Sequence, residues 1–319
     1  RYRADDLATG ETVCLEFLPR RAIVSFGKIR HAVAKLAALG DPNIVEVTGR
    51  GMAGGAWPFL VTESTTGDSL RDVLAARQPL ELARVVRIGV QCAEALAAAH
   101  GAGVLHGALT PERIVCRRRD RAFESVKVSG FGIVSLVEAS PDALLSSSSE
   151  LYTYTSPEAA AGQRLDARSD IYSLGAILYE LIAGKPAFEG SAVSVLRQHR
   201  VLDPGLASRR RGSSDLPFRV MDKIVARCLA KAPEARYANA AELAADLARL
   251  GAALARARGE GRPANANAIP DGWSTPSSAG AGPAECTPRE RHIVVEQRPA
   301  HHPPRKSRVG MRQLPKVIV

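Results

Sequence analysis

The chain has 319 residues, of which 45% are hydrophobic and 24% are charged, a composition typical of a soluble globular protein with one large domain or two smaller ones. Its formal charge of +10 invites a nucleic-acid-binding interpretation, but eleven Lys/Arg against five Asp/Glu from Arg256 onward place +6 of that charge in the C-terminal segment. The five cysteines show no CxxC spacing, which disfavours disulfides and a zinc site. The sequence has neither a signal-peptide core nor an apolar run of ~20 residues, so we expect a cytoplasmic protein.

Residues 1–64 are predicted to form a small lobe of strands around one helix. Apolar residues at helical spacing in SFGKIRHAVAKLAAL (25–39) predict the helix. Short extended runs bounded by Gly-containing turns predict the strands. The predicted strands are RYRADDL (1–7), ETVCLEFL (11–18), IVEVTG (44–49) and WPFLVTE (57–63).

Residues 65–256 are predicted to form a larger, mainly helical lobe, so the fold class is α+β. Two short apolar runs, RIVC (113–116) and VKVSG (126–130), are predicted to interrupt it as strands. Several of the helical segments end at Gly, as helices commonly do. The predicted helices are SLRDVLAARQ (69–78), LELARVVRIGVQCAEALAAAHGAG (80–103), SDIYSLGAILYELIAG (169–184), AVSVLRQHR (192–200), FRVMDKIVARCLAK (218–231) and AAELAADLARLGAALARAR (240–258).

Residues 257–319 are predicted to be a disordered basic tail. The segment is rich in Pro, Gly, Ala and Arg and cannot bury enough apolar surface to offset its ordering entropy. A linker role is favoured. The alternative is docking on nucleic acid or a membrane surface through basic runs such as HHPPRKSR (301–308).

Seven segments, in one order, carry a resemblance to a known family. GVLHGALTPERIV (103–115) resembles the catalytic loop of protein kinases, where H-R-D-x-K-P-E-N is expected, and VKVSGFGI (126–133) resembles the strand and D-F-G that follow it. Five further matches are ATGETVCLEFL (8–18) to the lysine strand, PFLVTE (58–63) to the hinge, YTSPEAAAG (154–162) to A-P-E, RSDIYSLGAILYELIAGKPAFEG (168–190) to the central helix and CLAKAPEARYANAAEL (228–243) to the closing subdomain. The resemblance, to bacterial serine/threonine kinases in particular, implies the two-lobed kinase fold, with its first strand and Gly-rich loop expected upstream of Arg1.

The residues that perform phosphoryl transfer in that family are replaced here. The family uses a lysine on the phosphates, a helix glutamate that positions it, an aspartate that accepts the substrate proton, and an asparagine and a second aspartate that hold Mg²⁺. The matching positions hold Glu16 for the lysine, Ala32 for the helix glutamate, Gly107, Ala108 and Thr110 for the loop Arg, Asp and Lys, Arg113 for the asparagine and Gly130 for the D-F-G aspartate.

Each replacement removes or reverses a chemical property. Ala108 and Gly130 can neither accept a proton nor ligate a cation. Glu16 would place a carboxylate near the phosphates, where like charges repel, and Arg113 puts a cation where the metal would bind. The resemblance therefore implies loss of the electrostatic stabilisation that dominates catalysis, with no metal site and no cofactor expected; ATP bound without Mg²⁺ is the alternative.

Other family positions are retained, and the resemblance implies that they serve the fold. Asp170 matches the aspartate that binds the catalytic-loop backbone, and Glu158 and Arg236 match a buried ion pair. A buried structural role is favoured for His106 over acid–base chemistry. The apolar stack that joins the lobes would consist of Leu36, Val47, His106 and Phe131.

The nucleotide pocket, if one is kept, would be lined by Cys14, Thr62, Glu63 and Val115. The resemblance places Cys14 where the family usually has an alanine over the adenine. For the Cys14 side chain, a packing role is favoured over one that narrows the nucleotide pocket. The activation segment (130–158) contains SSSSELYTYT (146–155), where a flexible polar loop is favoured over a phosphorylation switch.

The sequence thus predicts a pseudokinase that binds protein partners as a signalling scaffold or allosteric partner. Two alternatives stay open: an active or weakly active ATP-dependent serine/threonine kinase, and a nucleotide sensor that binds ATP without hydrolysing it. The identity of the partner is not predicted.

Overall fold

The computed structural model describes residues 2–6, 9–18, 34–54, 57–75, 80–118, 124–132, 151–213, 215–259 and 293–294. Within these ranges a sheet-containing N-terminal part precedes a helical C-terminal part, so the α+β prediction is confirmed. Ala32, residues 133–150 of the activation segment and most of the predicted tail lie outside the described residues.

Four strands of the N-terminal part form an antiparallel sheet. They are β1 (Tyr2–Asp6), β2 (Thr12–Phe17), β3 (Val47–Ala53) and β4 (Trp57–Glu63), in the spatial order β3-β4-β2-β1. Alternation along β2 sends Val13 and Leu15 into a small core with Phe59 and Val61 of β4. The same alternation places Glu16 on the opposite face of the sheet.

Two residues of the segment predicted to be disordered are also paired with this sheet. The two-residue strand Ile293–Val294 lies antiparallel to Asp5 and Asp6 of β1. The outer edge of β1 offers unpaired backbone N–H and C=O groups, which is what allows an added strand to bind there.

A short segment after the first helix connects the two parts of the molecule. Residues 34–39 are helical (α1). Beyond them Val45 donates its N–H to the carbonyl of Val128 at 2.8 Å, and Val128 donates to the carbonyl of Asn43 at 2.7 Å. Because this segment pairs with Val128, strand β3 begins at Val47 and not at Ile44 as the sequence predicts.

The helical part contains the long helices that the periodicity predicts. None of the described helices combines the length and the apolar character that crossing a bilayer requires. The helices are α2 (Leu70–Ala75), α3 (Leu82–Gly101), α4 (Pro157–Ala160), α5 (Ala167–Ala183), α6 (Ala192–Val201), α7 (Ala207–Arg211), α8 (Leu216–Cys228) and α9 (Ala240–Ala257).

Helix α5 is the centre of this part. It is buried over most of its length, as an almost continuously apolar helix must be. Asp166 and Ser169 form a capping box at its start, and Gly184 ends it with a φ of 71°. Gly175 lets α8 approach closely, because a Cβ there would lie 2.4 Å from the Cβ of Cys228.

A second, three-stranded sheet positions the loop that resembles a catalytic loop. It consists of β5 (Asp68–Ser69), β6 (Ile114–Arg118) and β7 (Glu124–Val128), in that spatial order. A 3₁₀ turn (Pro111–Arg113) leads directly into β6, and β7 leads into Gly130 and Phe131. The β6–β7 pair therefore brings Arg113 and Gly130 together.

Candidate functional site

The loop from His106 to Val115 is held by one buried carboxylate. Asp170, in the first turn of α5 and 1% exposed, accepts the backbone N–H groups of His106 (2.8 Å) and Gly107 (2.6 Å). His100, near the end of α3, donates Nε2–H to the same carboxylate at 2.8 Å. Gly107 has a φ of 71°, a conformation that costs glycine little. The loop backbone is thus fixed by α3 and α5, and none of these contacts involves a reacting group.

His106 is a neutral, fully buried member of this loop. Its Nδ1 accepts the N–H of Ala108 at 3.3 Å, so its Nε2 carries the proton and donates to the carbonyl of Ser129 at 3.0 Å. Burial lowers the pKa of His106. Its ring packs 4.8 Å from that of Phe131. These contacts leave both ring nitrogens engaged with backbone.

The four residues predicted to form the apolar stack meet between the two parts of the molecule. Leu36 and Phe131 belong to the main core, and Phe131 contacts His106. A cavity of about 10 Å³, enough for roughly one water molecule, lies beside them. Its lining includes Glu16, Leu36, Val47, Leu60, Thr62 and Phe131.

Glu16 and Arg113 form an ion pair across the two parts of the molecule. Glu16 lies on β2 opposite Leu60, and only 6% of its surface is exposed. Arg113 ends the 3₁₀ turn, and its Nη1 donates to Glu16 Oε1. The pair brings together the two residues predicted from the sequence to stand in place of the family's phosphate-binding lysine and metal-binding asparagine.

Gly130 completes this arrangement. It has a φ of 90°, and a Cβ placed on it would lie 2.9 Å from Nη1 and 3.2 Å from Cδ of Arg113. The arginine side chain therefore lies directly against the backbone of Gly130. Glu16, Arg113 and Gly130, hereafter the charge-swapped triad, are one packed unit.

The other residues predicted to replace catalytic-loop residues carry no ionisable side chain. Ala108 is partly exposed, and Thr110 is buried, in an extended conformation just before the 3₁₀ turn. Ala32, predicted at the position of the helix glutamate, lies outside the described residues.

The four residues predicted to line a nucleotide pocket are close together but already engaged. Thr62 donates to the backbone carbonyl of Cys14 at 3.4 Å, the two being paired across β2 and β4. Glu63 accepts from Lys127 Nζ at 2.5 Å and from the N–H of Glu46 at 2.9 Å. Val115 lies on β6 opposite Lys127. Of these predicted residues, Thr62 is the one that lines the small cavity.

The Glu63–Lys127 ion pair was not predicted from the sequence. Lys127 is 7% exposed and pairs with a residue 64 positions away, so it ties the end of β4 to β7. The one available signal was a lysine within the apolar run VKVSG, since a buried lysine requires a partner. That signal does not identify the partner.

Glu158 and Arg236 form a buried, two-pronged ion pair beneath the site. Arg236 donates to both carboxylate oxygens of Glu158, at 2.8 and 2.9 Å, and Ser169 donates to Oε1 at 2.6 Å. Burial opposes the ionisation of Glu158, but the hydrogen bonds from Arg236 and Ser169 outweigh it and lower its pKa. The pair ties α4 to the segment that precedes α9.

The sequence also did not predict a network of hydrogen bonds and ion pairs around Arg71. Arg71 of α2 donates to the hydroxyl of Tyr154 at 2.5 Å, to Glu180 at 3.2 Å and to Glu112 at 3.3 Å. Tyr154 in turn donates to Glu180, and burial raises the pKa of Tyr154. These partners are as far as 109 residues apart, so local sequence patterns could not pair them.

The site has few groups that could hold a metal ion. In the part of the chain that the structure describes, no three His, Cys, Asp or Glu side chains cluster. The carboxylate that contacts Arg113, that of Glu16, is bound to its guanidinium. Hard cations such as Mg²⁺ require several oxygen ligands, which Arg113 and Gly130 cannot supply.

Comparison with known proteins gives consistent matches. The family model described as protein kinase domain matches residues 2–246. The serine/threonine-protein kinase PknB of Mycobacterium tuberculosis is 38% identical over 231 residues, which cover 70% of this chain and 36% of that protein. The serine/threonine-protein kinase pkn3 of Myxococcus xanthus is 35% identical over 257 residues, covering 77% and 46%. The matched region thus spans less than half the length of these relatives.

Proposed function

Since the chain belongs to the protein kinase family and is serine/threonine kinase-like, we propose that it is a catalytically inactive member, a pseudokinase, that acts by binding a protein partner as a scaffold or allosteric partner. The observation that carries this proposal is the charge-swapped triad. An ion pair between Glu16 and Arg113 takes the place of a lysine on phosphates and a metal ligand.

Mg²⁺–ATP does not fit the residues present. A triphosphate would face the buried carboxylate of Glu16, and a divalent cation would face the guanidinium of Arg113. Both contacts are between like charges in a partly desolvated cleft, where repulsion is much stronger than in water. Binding would first have to break the Glu16–Arg113 pair and lose the attraction between two partly buried charges.

The position that matches the family's general base also lacks a proton acceptor. Ala108 stands where the family's general base would be, and His106 is held by backbone at both ring nitrogens. A base must lie within hydrogen-bonding reach of the hydroxyl it deprotonates. Neither residue meets that requirement.

A binding role is supported by the way the two parts are joined. The Glu16–Arg113 pair, the Glu63–Lys127 pair and the backbone hydrogen bonds of Val128 all cross between them. A fixed shape lowers the ordering cost of binding a partner. The protein partner itself stays unidentified, and a role of the basic tail on nucleic acid or membranes remains a prediction.

Inactivity is tested by Mg²⁺-dependent transfer of label from radiolabelled ATP to casein by the full chain. We expect no more labelling than from the variant Asp170→Asn, with circular dichroism used to verify that this variant is folded. Labelling that co-purifies with the chain and is lost in the folded variant would establish an active kinase and overturn the proposal.

The nucleotide-sensor alternative is tested by thermal unfolding with ATP, with and without Mg²⁺. We expect no change in Tm, whereas a ligand at a hundred times its Kd would add about 2.7 kcal/mol to the free energy of unfolding. A rise in Tm with ATP alone would favour the nucleotide sensor. A rise in Tm that requires Mg²⁺ would contradict the statement that Mg²⁺–ATP does not fit beside Glu16 and Arg113.

A further inference from the structure

Exposed aliphatic side chains are concentrated in one stretch of the helical part. Of the eight large hydrophobic residues that are exposed within the described ranges, five lie between positions 201 and 220. They are Val201, Leu202, Leu206, Leu216 and Val220. Single exposed aliphatic residues are common on proteins, but a concentration of this kind marks an interaction surface.

The same stretch is rich in exposed cations. Five arginine and lysine side chains are exposed here, against the exposed acids Asp203 and Asp215. Within the described part of the chain, no ion pair is found for Arg209, Arg219 or Lys223. The exposed cations are Arg200, Arg209, Arg210, Arg219 and Lys223.

We refer to the exposed side chains of residues 200–223 as the 200–223 surface. They lie on the end of α6, the loop that follows, α7, and the first half of α8, with α7 packed against α8. On α8, Leu216, Val220 and Lys223 recur at helical spacing, while Met221, Ile224 and Val225 face the core. Apolar and basic side chains are therefore interleaved on the exposed face of α8.

Charge complementarity favours an anionic occupant, because five exposed cations outnumber two exposed acids on this surface. The predicted tail carries a charge of +6 and would be repelled, as would the same surface of a second copy. Leu216 is 72% exposed and Val201 67% exposed, so both side chains protrude into solvent. Protruding aliphatic residues among cations are the composition that binds the interface of an anionic bilayer.

We propose that the 200–223 surface docks on anionic phospholipid membranes, with the aliphatic side chains entering the headgroup region and the cations contacting lipid phosphates. The proposal does not depend on whether the kinase-like cleft is active. It also differs from the tail-mediated docking considered above, because it assigns the contact to the folded helical part.

The test is co-sedimentation of the full chain with vesicles of phosphatidylcholine alone, or of phosphatidylcholine and phosphatidylglycerol in equal parts. We expect binding to the mixed vesicles only. The double variant Arg219→Glu/Lys223→Glu should weaken it by at least about tenfold. The variant Leu216→Ser/Val220→Ser, which leaves the net charge unchanged, should weaken vesicle binding by about fivefold because it removes the aliphatic contact. Purely electrostatic binding would be unaffected by this variant.

The matched control is Arg305→Glu/Lys306→Glu, which makes the same change of net charge in the tail. This control should retain most of the binding. If instead it abolishes binding while the Arg219/Lys223 variant retains it, the tail is the membrane contact and the proposal is wrong. Equal binding to soluble polyglutamate, with no effect of the Leu216/Val220 change, would assign the surface to acidic proteins and overturn it as well. The Tm of each variant is measured, and binding is compared only among variants whose Tm matches that of the unchanged protein, so that loss of folding is recognised.

Discussion

At the scale of single residues, Gly130 is a position where packing requires the absence of a side chain. Its φ of 90° is one that side chains with a Cβ rarely adopt, and Arg113 occupies the space beside it. Aspartate in this family holds a metal at the matching position. Here the absence of any side chain lets a guanidinium reach Glu16.

Gly130→Ala should therefore destabilise the protein by about 2 kcal/mol, combining backbone strain with displacement of Arg113. Gly54→Ala is the matched control: Gly54 has a φ of 54°, but a Cβ added there would meet no atom within 4 Å, so strain alone should cost about 1 kcal/mol. Urea unfolding measures both. Equal costs at the two glycines would show that Arg113 does not pack against Gly130.

At the scale of elements, a buried histidine helps attach α6 to the helical part, beside the buried side chains of Val195 and Leu196. His199 accepts from the hydroxyl of Tyr172 of α5 at 3.0 Å and donates Nε2–H to the carbonyl of Thr153 at 3.0 Å. Burial lowers its pKa to about 3, against an ordinary value of 6.5. Its neutral form is thus what the folded state requires.

The consequence is a loss of stability in acid. The folded-state pKa of His199 lies below its unfolded value, so the unfolded chain binds the proton preferentially between pH 6.5 and about 3, and stability falls as pH falls through that range. We expect His199→Gln to lower the free energy of unfolding at pH 8. Near pH 5.5 the variant should also reduce the slope of the free energy of unfolding against pH by about 1.4 kcal/mol per pH unit. Unfolding curves at several pH values measure this slope, and an unchanged slope would mean that His199 is protonated in the folded protein.

The elements themselves were largely predictable. Periodicity predicts α3, α5, α8 and α9, and the strand runs predict β1, β2 and β4, because local spacing determines which face of an element is buried. Pairing between distant side chains is not encoded locally, which is why the Glu63–Lys127 pair and the Arg71–Tyr154–Glu180 network were missed. Individually, Glu16, Arg113 and Gly130 are predicted from the sequence to be replacements of catalytic residues. Their mutual contact could not, since it depends on the β6–β7 pair and the face of β2.

At the scale of the whole molecule, the Glu16–Arg113 pair couples the N-terminal sheet to the helical part. A double-mutant cycle with Glu16→Gln and Arg113→Gln should give a coupling free energy of about 1–2 kcal/mol, because both groups are at least partly buried. The pair Arg249–Asp246, in which the arginine is exposed, serves as control, with a smaller expected coupling because solvent screens its charges. Chemical unfolding without nucleotide measures both cycles. Coupling no larger than that of the control would mean that the pair does not join the two parts.

The charge-swapped triad also restricts the routes by which this protein could change. Replacing Glu16 by lysine alone would set two cations against each other, and replacing Arg113 by asparagine alone would remove the guanidinium that binds the buried carboxylate of Glu16. Either single change would therefore destabilise the protein. Because the two residues stabilise each other, the pair favours its own persistence once formed.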